Sequence, residues 1–285
     1  MNSGVETHSR TKTVLGLIAS PRKLGNCEVF VKEIGKNLPH EYRLNLIRLP
    51  DLRILPCNAC YGCIMGNPCP HHDDMAFLLS SIAQAEAVII ASPVYFFGAH
   101  SIIKRILDRG FLFYNILNET YGKPCILINI FGIRNRLGIA PQNLISLALF
   151  LGLDVKTVVQ IQASLPGEII MKQIHTRKAE RLAGMLFSKK KERQTYGCPF
   201  CGCDVVRIEK RYFVCGVCQG HFSIDGKGRR IKIREGGIVD SLSQMLHHRD
   251  VLRGYKNRFL VKRREILKKT LPYQDRGEWI KPPML

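Results

Sequence analysis

Five short apolar segments alternate with helical segments in the first two thirds of the chain, and this alternation constrains the fold most strongly. The apolar, β-branched segments are residues 13–19, 42–49, 87–92, 124–131 and 155–162. Apolar residues at helical spacing predict helices at 25–38, 73–84, 99–107, 141–151 and 170–187. Parallel strands need crossover connections, so the pattern predicts an α/β fold with a doubly wound, five-stranded parallel sheet.

Four cysteines lie within thirteen residues, in the spacing C-x2-C-x2-C-x5-C, and a proline follows the last of them. They are Cys57, Cys60, Cys63 and Cys69. A single zinc ion is usually held by two separated C-x2-C turns, so this dense spacing suits zinc poorly. A close triplet with a fourth cysteine before proline is typical of a ferredoxin-like [4Fe–4S] loop. Free thiols and an unusual zinc loop are the alternatives.

Two further C-x2-C turns predict a small zinc ribbon after residue 197. Their cysteines are Cys198, Cys201, Cys215 and Cys218. Each turn offers two thiolates, and the two pairs complete a tetrahedral Zn²⁺ site. The segments 207–214, 221–224 and 230–233 predict its strands, the last two as a hairpin. A rubredoxin-like iron site is the alternative metal, and Cys203 is either a spare thiol or a substitute ligand.

The first predicted strand runs into a loop that favours an anion. The loop carries Ser20, Arg22, Gly25, Asn26 and Cys27 and leads into a helix. Backbone N–H groups and the dipole at a helix start attract phosphate, and ligands of parallel sheets bind at the carboxyl ends of strands. The loop has no G-x-G-x-x-G pattern, so a Rossmann dinucleotide site is not indicated. An ordinary strand-to-helix turn is the alternative.

Aromatic residues follow the third predicted strand, within the run Pro93, Val94, Tyr95 and Phe96. Aromatic side chains at a strand end can lie beside a flat ring, and exposed backbone amides can bind its polar edge. Packing of Tyr95 and Phe96 in the core is the alternative.

Taken in order, these motifs resemble the iron–sulfur flavoproteins within the flavodoxin-like, NADPH-dependent FMN reductases. The ordered set is Ser20-Pro21-Arg22, Gly25-Asn26, the cysteine loop, Asp73-Asp74-Met75, Ser92-Pro93-Val94-Tyr95, Lys104 and Asp108-Arg109. The resemblance covers residues 12–187. It implies a flavodoxin-like fold, with the FMN phosphate on residues 20–27 and the isoalloxazine near residues 93–96. It also implies a homodimer or homotetramer that brings cluster and flavin close across a subunit boundary.

Two positions depart from the family pattern. Cys27 stands where the family usually has Thr or Ser, and a thiol is the poorer hydrogen-bond donor, which predicts reduced FMN affinity. Residues 131–136 replace a more glycine-rich flavin loop, with Gly132 as the expected contact. Arg134 or Arg136 either faces an anionic substrate or is simply exposed. The sequence identifies no catalytic acid or base.

The net charge of +20 is concentrated near the C-terminus, where residues 188–285 hold 23 Lys and Arg against 10 Asp and Glu. This basic segment predicts an acidic or nucleic-acid partner. The expected organisation is a disordered tail (1–11), a flavodoxin-like domain (12–187), a linker (188–197), a zinc-ribbon-like module (198–233) and a basic helical tail (234–285).

The apolar stretches are too short to span a bilayer, and the first residues lack the apolar core of a secretion signal. Eleven cysteines then indicate metal ligands in the reducing cytoplasm. We expect a cytoplasmic, flavin-dependent oxidoreductase that passes electrons between a [4Fe–4S] cluster, FMN and an unidentified acceptor, with ferredoxin or NAD(P)H as donor. The alternatives are an NAD(P)H-dependent FMN or quinone reductase without a cluster, and a nucleic-acid-associated redox protein that uses the ribbon and the basic tail.

Overall fold

A parallel sheet forms the centre of the computed structural model, which describes residues 12–134, 136–189, 197–274, 276–277 and 280. The strands are β1 (Lys12–Ile18), β2 (Tyr42–Arg48), β3 (Ala87–Tyr95), β4 (Gly98–Ala99), β5 (Pro124–Phe131) and β6 (Asp154–Gln162). Five of them run parallel in the order β2-β1-β3-β5-β6, and β4 pairs with β3 as an antiparallel hairpin. The predicted α/β fold is confirmed, because this order of parallel strands is the flavodoxin-like one. The predicted tail at 1–11, and residues 190–196 of the predicted linker, lie outside the described residues.

Helices cover both faces of this sheet, as a doubly wound fold requires. They are α1 (Asn26–Lys36), α2 (Met75–Gln84), α3 (Ser101–Asp108), α4 (Leu117–Thr120), α5 (Ala140–Phe150) and α6 (Gln173–Leu186). Residues of α1 and α6 pack together on one face, and residues of α2, α3 and α5 pack on the other. The central strands β3 and β5 are therefore apolar along most of their length, since both of their faces are buried.

Most boundaries differ from the sequence prediction by one or two residues, and three of the differences have a local cause. Strand β3 continues beyond residue 92 to Tyr95, because β4 folds back and pairs with its end. Helix α2 begins at Met75, because Asp74 is its N-cap residue and Asp73 accepts a hydrogen bond from the Met75 N–H. Residues 168–171 form a separate 3-10 turn, so α6 begins at Gln173.

A second, antiparallel sheet follows, with strands β7 (Val206–Glu209), β8 (Tyr212–Cys215), β9 (His221–Ile224) and β10 (Arg230–Arg234). The strand predicted at 207–214 is in fact a hairpin of β7 and β8, which turns at Lys210 with a φ of 44°. Buried residues of this ribbon, among them Cys215 and Phe222, belong to the same apolar cluster as Leu147 of α5.

The last long element is helix α7 (Leu242–Thr270). It begins after Ser241, whose hydroxyl accepts a hydrogen bond from the Gln244 N–H as an N-cap. Within the described part of the chain, none of the helices combines the length and apolar character needed to cross a bilayer.

Candidate functional site

A cavity of about 480 Å³ lies at the carboxyl ends of β1, β3 and β5. It is lined by all ten residues predicted to contact a cofactor, namely Ser20, Arg22, Gly25, Asn26, Cys27, Pro93, Val94, Tyr95, Phe96 and Gly132. Strand β1 has β2 on one side and β3 on the other, which makes this edge the switch point where doubly wound sheets bind ligands. Arg136 also lines the cavity, whereas Arg134 does not.

The loop before α1 offers backbone donors to an anion. Gly25 is the N-cap residue of the helix and has no side chain to cap the N–H groups of the first turn. A Cβ atom on Gly25 would lie 3.0 Å from Cβ of Arg22, which is closer than side chains normally approach. Glycine therefore lets the two residues lie this close together. The buried Ser20 accepts a hydrogen bond from the Arg22 N–H at 3.3 Å. Uncapped N–H groups beside the charge of Arg22 suit a phosphate group.

The side chain of Asn26 connects two walls of the cavity. Its Nδ2 donates to the carbonyls of Ala163 (3.1 Å) and Leu165 (2.9 Å), and its Oδ1 accepts from the Ile169 N–H at 3.3 Å. The amide is therefore occupied by the loop after β6. Asn26 therefore lies in the cavity wall, where it joins the start of α1 to the loop after β6.

Glu28, which the sequence reasoning did not single out, carries the one carboxylate in the first turn of α1. It accepts from Lys32 at 2.6 Å, from Arg48 at 2.5 Å and from the Leu24 N–H at 2.9 Å. Burial alone would raise the pKa of Glu28, but these donors and cations together lower it. Its negative charge is thus compensated beside the loop that precedes α1.

Cys27 contributes no charge to the cavity. Its side chain is buried, and burial raises the pKa of the thiol to about 12. The group is therefore a neutral, weak hydrogen-bond donor at neutral pH.

A tight hairpin presents the aromatic residues at the cavity mouth. Phe96 and Phe97 form its two-residue turn between β3 and β4, with φ values of 46° and 65°. Phe97 is held from behind, because its carbonyl accepts from the Ile139 N–H at 2.7 Å and its backbone lies against Gly138. Phe96 is fully exposed and Tyr95 is 42% exposed, so neither ring packs in the core.

The four clustered cysteines line a second, smaller cavity together with Tyr61, His71, Arg109 and Phe111. Cys60 is exposed, and the other three are half-buried. Ala59 and Tyr61 have left-handed φ values of 50° and 63°, which non-glycine residues adopt only when their surroundings hold them. The ring of Tyr61 lies 4.9 Å from that of Phe111.

The sulfur separations in this loop do not suit one zinc ion. Zinc–sulfur bonds of about 2.3 Å place tetrahedral sulfurs about 3.8 Å apart. Among the described residues, only the ribbon cysteines bring three or more metal-ligating groups within 4.8 Å of one another. In addition, Nε2 of His71 is buried without a hydrogen-bond partner in the described structure. No three of these sulfurs lie within 4.8 Å of one another, and a buried ring nitrogen beside the cavity has no partner among the described residues. Both observations fit a group larger than a single ion.

A buried ion pair, which the sequence reasoning missed, supports this loop. Arg109 and Asp73 have side chains only 2% and 1% exposed, and their N–O distance is 2.7 Å. Burial alone would raise the pKa of Asp73, but the hydrogen bonds from Arg109 and from two backbone N–H groups lower it. Arg109 also donates to the Leu55 carbonyl at 2.9 Å and to Sγ of Cys69 at 3.2 Å. The guanidinium thus supplies positive charge to one of the four sulfurs.

The ribbon cysteines form a compact tetrahedral set. Sγ of Cys198 lies 3.6 Å from that of Cys218, and Sγ of Cys201 lies 3.5 Å from that of Cys215. Backbone N–H groups donate to three of these sulfurs at 3.4 Å. These separations suit one tetrahedral ion. Cys203 does not belong to the set, although its sulfur interacts with that of Cys215, and it accepts from the Val205 N–H within its own turn.

Comparison with known proteins identifies the larger unit. A family model described as NADPH-dependent FMN reductase matches residues 13–168, more than half of the chain. The iron–sulfur flavoprotein MJ1083 of Methanocaldococcus jannaschii is 34% identical over 98 residues, which is 34% of this chain and 51% of that protein. An iron–sulfur flavoprotein of Archaeoglobus fulgidus is 30% identical over 96 residues, or 33% of this chain and 44% of the relative. The chain spans about half the length of the curated relatives it matches.

One solved structure resembles nearly the whole chain. A protein titled flavone reductase superposes with a TM-score of 0.68 and 16% identity, and the match covers 95% of this chain and 99% of the other. At this identity the likeness concerns the fold alone. It includes the region of the ribbon and the C-terminal helix.

Proposed function

The chain belongs to the NADPH-dependent FMN reductase family, and from this premise we propose that it is an oxidoreductase that carries FMN and a [4Fe–4S] cluster. It passes electrons between the cluster, FMN and an acceptor of unknown identity. Reduced ferredoxin or NAD(P)H is the proposed donor. The eleven cysteines are all unbridged, which suits a reducing compartment such as the cytoplasm.

The observation that carries the flavin part of this proposal is the convergence of ten separate positions on one cavity at the switch point of the sheet. The N–H groups at the start of α1, with Arg22, would hold the phosphate. Tyr95 and Phe96 would flank the ring, and the backbone of Pro93 and Val94 would meet its edge. When bound, FMN supplies redox chemistry in steps of one or two electrons, and the protein binds and orients it.

The cluster part of the proposal has two supports. Cys57, Cys60, Cys63 and Cys69 line one cavity, with Arg109 donating to Cys69. The curated relatives are named iron–sulfur flavoproteins. Hydrogen bonds to the sulfurs and nearby charge tune the potential of such clusters, so Arg109 would make this one easier to reduce.

We propose zinc for the ribbon site, with a structural role. All four sulfurs lie within 4.8 Å of one another, three of them are buried, and four thiolates close the coordination shell. A closed shell leaves no open position for a substrate. Iron in a rubredoxin-like site is the competing assignment, and metal analysis separates the two.

The rim of the flavin cavity also supports a homo-oligomer, proposed as a dimer or tetramer. Phe96, Phe97 and Ile133 line the cavity and are exposed. Leu24 (64%) and Leu165 (68%) are also strongly exposed, and each adjoins a lining residue in the chain. An apolar group of this kind around a site commonly marks an interface. A second copy would cover it and shield the flavin from water.

Metal and flavin analysis of anaerobically purified protein tests the proposal. We expect about four iron and four sulfide per chain, one FMN and one zinc. Cys63→Ala should abolish most of the iron and leave FMN and zinc in place, whereas Cys125→Ala, a buried cysteine of β5, should change none of the three. If the unaltered protein contains flavin but no iron, the cluster is refuted and the protein is a reductase without a cluster. A fifth iron in place of zinc would assign iron to the ribbon.

Cys27→Ser is expected to strengthen FMN binding by about three- to tenfold. The serine hydroxyl is the stronger donor, and a hydrogen bond to a charged acceptor contributes about 1 kcal/mol or more. Quenching of flavin fluorescence during titration of the apoprotein measures the change in Kd. Cys125→Ser is the control and should leave the Kd unchanged. Weaker binding by Cys27→Ser would show that the phosphate does not meet this side chain.

A further inference from the structure

The first half of α7 is fastened to the cysteine loop. The guanidinium of Arg253 donates to the carbonyl of Ile64, between Cys63 and Cys69. Nζ of Lys256 lies 5.9 Å from the centre of the Tyr61 ring, next to the exposed Cys60. Nδ1 of His248 lies 2.6 Å from the hydroxyl of Tyr114, in the 3-10 turn beside the loop. The helix therefore has a fixed position relative to the four cysteines.

The second half of α7 extends into solvent. Every residue from 257 to 270 is exposed, over about 21 Å of helix. Ion pairs satisfy Arg249 and Arg253, through Asp250, and Lys269, through Glu265. Six other cations have no carboxylate partner among the described residues: Lys256, Arg258, Lys262, Arg263, Arg264 and Lys268. This uncompensated charge begins at the cysteine loop.

The charge decides which partner suits the helix. A second α7 would bring like charges together, so self-pairing of this helix is disfavoured. Exposed apolar side chains recur along one side of the helix at Tyr255, Phe259 and Ile266, but Lys262 lies among them, and Leu260 and Val261 lie on other sides. This strip is narrow and interrupted by charge, which disfavours burial of the helix in a membrane. With self-pairing and membrane binding disfavoured, the partner that suits the helix is an acidic macromolecule. A partner bound to α7 would lie close to Cys60.

We propose that α7 and the adjoining edge of the cysteine loop form the docking surface for a small acidic protein that carries single electrons. This inference rests on the function proposed above. In each encounter the carrier is oxidised by one electron and this chain is reduced by one, with no bond made or broken. Redox encounters use small interfaces and depend on charge for fast association, which the exposed cationic half of α7 can provide. Nucleic acid would gain nothing from the neighbouring cysteines.

Binding of a small, acidic bacterial ferredoxin to the full-length, cofactor-loaded protein tests this surface. Fluorescence anisotropy of labelled ferredoxin, measured without oxygen and without turnover, gives the Kd. Raising ionic strength from about 0.01 M to about 0.15 M shortens the Debye length from about 30 Å to about 8 Å, and the Kd should rise at least about tenfold. A basic cytochrome of similar size should not bind.

A matched pair of triple variants locates the contact. Arg258→Gln, Lys262→Gln and Arg263→Gln together should raise the Kd about tenfold or more at low salt. The control neutralises Lys210, Arg211 and Lys227, three exposed residues in ribbon turns, with the same change in net charge. It should shift the Kd less than about twofold. Circular dichroism confirms that α7 remains helical in both.

Three results would overturn the proposal: equal effects of the two triple variants, no salt-sensitive binding of ferredoxin, or tighter binding of a uridine RNA 20-mer than of ferredoxin at the same ionic strength. Iron and FMN counts on the same samples separate this outcome from a failure of the proposed function. Protein that holds both cofactors but ignores ferredoxin refutes the docking surface alone.

Discussion

Replacing Arg109 with leucine is expected to lower the free energy of unfolding by about 3–5 kcal/mol, because it leaves a carboxylate buried without its partner. Asp73 is 1% exposed, and its ion pair with Arg109 is the closest cationic contact it has. The variant also removes the donors to the Leu55 carbonyl and to Sγ of Cys69. Such a loss is a large part of the about 5–15 kcal/mol that stabilises a typical domain.

Urea denaturation with matched variants measures this effect. Lys104→Gln breaks an exposed ion pair with Asp108, one turn earlier in the same region, and should cost less than about 1 kcal/mol. The double variant Asp73→Asn/Arg109→Leu should lose less than Arg109→Leu alone, because the unpaired charge is gone. If Arg109→Leu is as stable as Lys104→Gln, the pair does not support the loop.

Cys218→Ser is expected to abolish metal binding by the ribbon and to unfold its four strands. A structural zinc ion contributes on the order of 10 kcal/mol to the folding of a small module of this kind. A unit of about 40 residues buries little apolar surface by itself. Apart from the metal, the main support of the ribbon is the packing of residues such as Phe222 in the cluster that includes Leu147 of α5. Amide hydrogen exchange in β8 and β9 should rise from protected to nearly free, and bound zinc should be absent.

Cys203→Ala is the control for this prediction. Cys203 is also buried, but its sulfur lies outside the four-sulfur set. It should keep the metal and the exchange protection, with a loss of about 1–2 kcal/mol from the smaller side chain. If Cys203→Ala loses the metal and Cys218→Ser keeps it, then Cys203 is a metal ligand and Cys218 is not.

Local spacing predicted much of this molecule. The five parallel strands follow from apolar runs separated by helical patterns, and both cysteine sets follow from short intervals along the chain. The ten residues that line the cavity at the switch point came from two strand-to-loop transitions and, for Gly132, from the resemblance to the family. Parallel strands deliver their carboxyl ends to one edge, so residues that are far apart in sequence become neighbours there.

Features that depend on distant partners could not be predicted in the same way. Asp73 and Arg109 are 36 residues apart, and neither sequence neighbourhood indicates that they pair in the interior. The β7–β8 hairpin was missed because Lys210 and Arg211 make its turn, without the glycine or asparagine that usually marks one. A basic helix gives no sign of which surface it will lie on, so the contact of α7 with the cysteine loop appears only in three dimensions.

The contact between Arg253 and Ile64 also orders events in time, because 189 residues separate its two ends. At about 5–20 residues per second, a ribosome needs about 10–40 s to make the intervening chain. The nascent protein therefore displays the four thiols of the cysteine loop well before helix α7, which contacts that loop, has been synthesised. During this interval the cysteine loop is open to the iron and sulfide of the proposed cluster.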